Sequence, residues 1–226
     1  MADEKAKSKL ENYSFEINEE TETVEVSTGN SLSPGIHNNV YLESIEYVTP
    51  DLEKAGQAKW EQALDFNYVC KGTNFKKDNN GNVVLDAAQN KIIISRAGDK
   101  INAREFFSAS STDEKKKMNM LKRIKHTMVK FIPAEETAIK GNDFESLCKS
   151  VISKLGESFV GIPCRLKVIK NGNYSKVAPY MPFLELQSVK VSNLKMSDKE
   201  YEGTQATSLQ DFSDDGEIAI PDEIDL

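Results

Sequence analysis

Over residues 59–70 the chain places Trp60, Leu64, Phe66, Tyr68 and Cys70 at even positions, the two-residue period of a strand with one buried face. Residues 39–48 are rich in β-branched and aromatic side chains and alternate in the same way, until Thr49-Pro50 stops the run. Before them, Ser31 to Gly35 is punctuation. Asp78-Asn79-Asn80-Gly81 predicts a hairpin turn between Lys77 and Val83-Val84-Leu85. Ile92-Ile93-Ile94 and Glu105-Phe106-Phe107 complete a β-rich first half. The period then changes. Met118, Leu121, Ile124, Met128 and Phe131 recur at three- and four-residue steps behind a Ser111-x-x-Glu114 capping box, predicting a helix that Pro133 ends at Ile132. A second helix, capped by Asn142 or Asp143, carries Phe144, Leu147, Cys148, Val151, Ile152 and Leu155 on one stripe and stops at Gly156. Strand character returns over 159–169, turns at Lys170-Asn171-Gly172-Asn173 into 174–177, and ends in a run over 183–191.

Strands, a helical insert over about 112–156, then strands again predict a mainly β, β-rich α+β body over residues 31–195. Residues 1–30 alternate only weakly, through Phe15, Ile17, Val24 and Val26, and read as a flexible acidic arm with room for one edge hairpin. Residues 196–226 read as a disordered acidic tail.

Composition sharpens this division. The apolar share of 38% is low for a globular chain of 226 residues, so part of it is expected to stay unpacked. Charge is segregated: residues 1–30 hold eight acids and three lysines, whereas residues 91–197 hold 20 basic and ten acidic residues, a net +10. Residues 211–226 contain seven acids (Asp211, Asp214, Asp215, Glu217, Asp222, Glu223, Asp225), no Lys or Arg, and the apolar Ile218, Ile220, Pro221, Ile224 and Leu226. Removing those seven from the 36 acids leaves 29 against 29 basic residues, so the whole formal charge of −7 resides in the tail. No apolar run is long enough for a bilayer and none near Met1 resembles a secretion signal. Three widely spaced cysteines, Cys70, Cys148 and Cys164, point to reduced thiols and a cytoplasmic setting. With only His37 and His126 as imidazoles and no C-x-x-C pair, neither a metal site nor a cofactor is expected.

Signatures of catalysis are missing: no phosphate-binding glycine loop with Lys-Ser/Thr, no G-x-G-x-x-G, no G-x-S-x-G and no H-E-x-x-H. Asp51, followed later by Asp113-x-Lys115, faintly echoes a metal-dependent nuclease, but an acid in the first turn of a helix is expected for dipole reasons alone. A non-enzymatic binding role is the expectation.

Single-stranded nucleic acid is held by cations along its phosphates and aromatic faces under its bases. The β segments supply both. In the strand after Pro163, Leu166 and Val168 are expected to face inward, leaving Arg165, Lys167 and Ile169 outward. Lys170, Tyr174 and Lys176 sit on the next hairpin, with Tyr180 just beyond. Arg96, Lys100, Arg104 and Phe106 form a second cluster, and Tyr41 and Tyr47 share one strand face. Each tyrosine is equally consistent with packing, and Trp60, Phe66 and Tyr68 are read as core. The basic helix, with Lys115, Lys116, Lys117, Lys122, Arg123, Lys125 and Lys130, reads first as a solvated face, His126 included, and second as a DNA contact. A polyanionic tail tethered beside a cationic groove would compete with nucleic acid and, once displaced, dock partners through Ile220, Ile224 and Leu226; a role in solubility alone is the competing reading.

This arrangement resembles the single-stranded-DNA-binding proteins of bacterial and phage replication. Two stretches, Pro34-Gly35-Ile36-His37-Asn38-Asn39-Val40-Tyr41-Leu42 and Lys167 to Tyr174 running on to Pro179-Tyr180-Met181-Pro182-Phe183-Leu184, are similar to the branch found in large tailed bacteriophages. The resemblance implies an OB fold, a five-stranded barrel, here with a helical insertion. It also implies sequence-tolerant binding in DNA replication and recombination, and a tail that recruits polymerase, primase or helicase; homo-oligomers are allowed. The familiar tail ends on Ile-Pro-Phe, whereas Ile220-Pro221 is followed here by Asp222-Glu223-Ile224-Asp225-Leu226. Two rival expectations are a phage structural or assembly protein and, third, a nuclease using Asp51 and Asp113.

Overall fold

A computed structural model describes residues 31–49, 62–78, 81–107 and 113–203. The N-terminal arm, Asp51, Trp60, Ser111 and the acidic tail lie outside the described residues. The chain is β-rich α+β, with strands β1 (Gly35–Val48), β2 (Gln62–Cys70), β3 (Asn74–Phe75), β4 (Ile93–Ser95) and β5 (Lys100–Phe107) before helices α1 (Glu114–Met128) and α2 (Phe144–Leu155). Strands β6 (Cys164–Asn171), β7 (Tyr174–Val177) and β8 (Leu184–Leu186) and a short helix α3 (Asp198–Glu202) follow. Among the described residues no helix is long and apolar enough to cross a membrane.

Alternation in β2 does what the sequence predicts. Leu64, Phe66, Tyr68 and Cys70 are at most 1% exposed and form the core with Leu166, Val168 and Phe183. Full burial of side chains of this size stabilises by about 1.5–3 kcal/mol each. Helix α1 begins at Asp113, whose carboxylate accepts the Lys116 N–H, and ends at Met128, one turn earlier than predicted. Its buried stripe is Met120, Ile124, Thr127 and Met128, while Met118 points to solvent. Of the two candidate caps for α2, Asp143 is the one used, in a reciprocal box with Ser146. The predicted runs over 159–169 and 183–191 shrink to β6 and β8, the flanks being turns and irregular chain. The packed body also continues past residue 195, burying Met196 and adding α3.

The main sheet runs β5-β2-β1-β6-β7, with β8 paired to β6 and every ladder antiparallel. In this order β6-β1-β2-β5 is a Greek key: a three-stranded meander whose first strand is joined on its far side by the fourth. Strand β1 serves both halves, pairing β6 through residues 35–40 and β2 through residues 40–48. It changes partner at Asn39, whose φ of +54° an asparagine tolerates. A second irregularity falls between Leu42 and Ser44.

The expected barrel is therefore present as a strand order but is not closed. No described ladder joins β5 to β7, although the two edges approach. A side chain bridges the seam instead. Arg123 of α1 donates to Glu105 on the inner face of β5 (2.7 Å) and to the Ala178 carbonyl just beyond β7 (2.6 Å), its guanidinium lying 4.2 Å from the Phe183 ring centroid. Both charges are nearly excluded from water, at 11% and 7% exposure. The expectation that Arg123 lies on a solvated helix face is thus overturned. His126 is likewise half-buried, donating Nε2–H to the Leu184 carbonyl at 3.1 Å and packing on Phe183.

Between β2 and β5 a finger, residues 72–99, carries the two-stranded sheet β3-β4 and short bridges between Lys77 and Val83 and between Leu85 and Lys91. At the predicted turn the Gly81 N–H donates to the Asp78 carbonyl (3.0 Å) and Gly81 has φ +85°, while Asn79 and Asn80 lie outside the described residues. A buried polar network fixes the finger to the body. The His37 Nε2–H donates to the Ser33 carbonyl (2.7 Å), Nδ1 accepts from the Ser95 hydroxyl (2.9 Å), and the Asn74 amide donates to that hydroxyl (3.0 Å).

Burial holds the imidazoles of His37 and His126 down to about 4, against an ordinary 6.5, and pushes the Glu105 carboxyl up to about 6. Between pH 6.5 and 4 the unfolded chain binds two protons on these imidazoles that the folded chain refuses, so stability falls as pH falls through that window. Glu105 acts oppositely: its folded pKa lies above the unfolded value near 4.5, so its contribution is fully present below about 4.5 and is lost as pH rises past about 6. The histidines dominate, since at about 1.4 kcal/mol per pH unit the part from fully buried His37 alone is on the order of 3 kcal/mol. Urea midpoints should therefore drop steadily from pH 7 to 4.5; a midpoint that is flat or rises over this range contradicts the assignment.

Candidate nucleic-acid interface

Opposite the core, β1, β2 and β5 present an outer face in four cross-strand rows. The ladder register aligns Tyr41, Val69 and Lys100; then Ser44, Asn67 and Asn102; then Glu46, Asp65 and Arg104; then Val48, Ala63 and Phe106. Six residues of β5 separate the first row from the last, roughly 20 Å at about 3.4 Å per residue.

An aromatic marks each end. Phe106 is 55% exposed because its neighbour across the ladder is the small Ala63. Tyr41 is half-buried, with the Lys71 ammonium 4.4 Å from its ring centroid. Between them lie amides and charges. The Asn67 amide donates to Ser44 Oγ (2.9 Å) and to Glu46 (3.1 Å), and the Asn102 amide to Asp65 (3.3 Å). Arg104 meets buried Asp65 with a two-pronged contact (2.8 and 2.6 Å) and still keeps 38% of its side chain in solvent. Lys100 pairs with Glu43 at 2.8 Å, both about half exposed, a contact worth little and readily exchanged. Lys71, Lys100 and Arg104 are thus matched by Glu43, Glu46 and Asp65, so the face is charge-balanced rather than the cationic groove anticipated.

Four of the expected contact residues, Tyr41, Lys100, Arg104 and Phe106, share this face. Tyr47 does not. The irregularity between Leu42 and Ser44 shifts side-chain parity, so Tyr47 pairs with Leu64 and packs against the core. Arg96 is exposed on the turn before β5.

The cluster on β6 also departs from expectation. Arg165 donates to Glu185 and to the carbonyls of Gln187 and Val189, holding the loop after β8. Although burial pushes the Glu185 carboxyl up, the Asn193 N–H, the Ser192 hydroxyl and Arg165 together hold it below its ordinary value. Lys167 is 7% exposed and pairs with Glu200 of α3 at 2.5 Å, its ammonium over the Tyr180 ring. Tyr180 donates to the same carboxylate. Ile169 is buried. These outward positions of β6 are covered by the segment after β8 and by α3, so Arg165, Lys167 and Tyr180 hold that cover in place. On the β6–β7 hairpin Lys170 and Tyr174 are exposed, while Lys176 is half-buried, its ammonium pushed down by burial and by neighbouring Arg123.

Asp113 acts as a helix cap, and among the described residues no three His, Cys, Asp or Glu side chains cluster to hold a metal. Cys70, Cys148 and Cys164 are free thiols and buried. The polar network around His37 was not anticipated from the sequence; the only hint was an imidazole within an apolar strand. In comparisons with known proteins, no family model, no curated protein and no solved structure matches this chain.

Proposed function

We propose that this chain binds single-stranded DNA without sequence preference, by contact alone, on the outer face of β1, β2 and β5. One observation carries the reading: exposed Phe106 and Lys71-backed Tyr41 end a polar strip of Asn67, Asn102, Arg104 and Lys100. That strip lies on the second and third strands of a Greek-key sheet that is not closed into a barrel; by analogy, OB folds take oligonucleotides on the corresponding strands. Bases stack on the two rings, the amides accept or donate to whichever base edge passes, and Lys71, Lys100 and Arg104 meet phosphates. In this reading the chain serves phage DNA replication or recombination in the host cytoplasm, and its acidic end recruits replication partners.

Because acids on the same face balance the cations, stacking carries more of the affinity and phosphate contact less. Fluorescence anisotropy with single-stranded DNA, duplex DNA and RNA oligonucleotides across a salt series tests this. Three phosphate-facing cations give a log–log slope of roughly −2, at about −0.7 per phosphate. Preferential binding of the single strand with such a shallow slope is expected. Equal binding of duplex, or none of the single strand, contradicts the reading.

A further inference from the structure

The finger carries a strip that its own body leaves uncovered. Leu85 pairs with Lys91, the Lys91 ammonium sits 5.4 Å from the Phe75 ring centroid, and Phe75 pairs with Ile93. Leu85, Ile93 and Val83 are 44%, 43% and 38% exposed, which is unusual for aliphatic side chains on so small a module. The finger holds four cations, Lys76, Lys77, Lys91 and Arg96, against three acids, and the acids are engaged locally. Asp78 accepts from Asn82, Asp86 from the N–H groups of Ala88 and Asn90, and Asp99 from the Arg96 N–H. The strip therefore combines apolar and cationic groups.

The described chain ends against this same module. Tyr201 meets the finger, its hydroxyl donating to the Lys77 carbonyl (3.0 Å) and its ring centroid lying 4.7 Å from the Lys76 ammonium, while Gly203, two residues on, lies against Lys170 of β6. Beyond Gly203 remain 23 residues, with seven acids, no cation, and Ile218, Ile220, Ile224 and Leu226. At about 3.3–3.6 Å per residue they reach roughly 80 Å at most, ample for the finger beside them, and a tether this short holds its end near ~mM effective concentration.

We propose that residues 211–226 dock on the finger of their own chain, setting Ile220, Ile224 and Leu226 on the strip from Leu85 to Ile93 while their carboxylates face Lys76, Lys77 and Lys91. Charge complementarity, the matching apolar content of both partners and the exit point beside Lys77 converge on this one occupant. The docking is independent of whether the outer face of β1, β2 and β5 takes DNA.

The test uses the full chain with Ala219→Cys carrying a nitroxide; Cys70, Cys148 and Cys164 are buried and leave the new thiol as the reactive one. Amide signals around Phe75, Leu85, Lys91 and Ile93 should broaden selectively. The broadening should vanish in Lys77→Glu/Lys91→Glu, and also near 1 M salt, where the Debye length falls to about 3 Å. Both lysines are exposed, and unchanged signals elsewhere certify the variant's fold. Broadening that is uniform, centred on Tyr41 and Phe106, or indifferent to charge reversal overturns the proposal. So does broadening transferred from a labelled chain to an unlabelled, isotope-enriched one, which assigns the strip to a second copy. Because no nucleic acid is present, this outcome is read separately from the DNA-binding result.

Discussion

Replacing Arg123 by alanine is expected to destabilise the fold by about 3–5 kcal/mol, the cost of stranding a buried carboxylate without its partner. At about 2–4 °C per kcal/mol for a chain of this size, the melting temperature should fall by roughly 6–20 °C. Arg123 ties Glu105 of β5 to the carbonyl that follows β7, so its loss opens the seam where no ladder joins the two edges. It also leaves the Ala178 carbonyl without that donor and removes a cation from the Phe183 ring. Arg123→Lys should recover little, since a single ammonium cannot reach the Glu105 carboxylate and the Ala178 carbonyl in the same planar fork. The double change Glu105→Gln/Arg123→Met should be far milder than the single one, because it removes both charges instead of orphaning one. Denaturant unfolding of the three variants decides this, and a loss below about 1 kcal/mol for Arg123→Ala would mean the seam is held by something else.

The second large effect belongs to function. Phe106→Ala should weaken single-stranded DNA binding by about 1–3 kcal/mol, the worth of one base–aromatic stack, or roughly 5- to 150-fold. Stability should hardly change, since the ring is 55% exposed and its partner across the ladder is the small Ala63. Tyr41→Ala should act in the same direction, though less cleanly because its ring is half-buried. Phe106→Tyr should bind like the native chain. Equal affinity for Phe106→Ala and the native protein would remove the stacking platform from the account.

The gross order of elements was legible in the sequence because local rules govern it. Even spacing of Leu64, Phe66, Tyr68 and Cys70 fixed one face of β2, and Asp143 and Gly156 bounded α2. Side-chain destinations were less legible, for two physical reasons. Irregularities within β1 shift parity without a sequence mark, which is how Tyr47 came to the core while Tyr41 stayed outside. Partners distant in sequence also redirect charges: Lys167 finds Glu200 and Arg165 finds Glu185, so two cations that look free in a strand pattern turn out to fasten a cover. The same holds for Arg123 and His126, whose helical positions suggest solvent until β8 and the β5 edge are placed against them. The expected contact residues that share one face are Tyr41 of β1 and Lys100, Arg104 and Phe106 of β5, the last three placed by the alternation of β5 alone.

Photo-crosslinking of the native chain to an oligothymidine bearing 5-iodouracil, followed by peptide mapping, tests the location of the DNA most directly. Crosslinks should fall on the peptides containing Phe106 and Tyr41. Crosslinks confined to Tyr174 on the β6–β7 hairpin, or to Phe75 on the finger, would contradict the account.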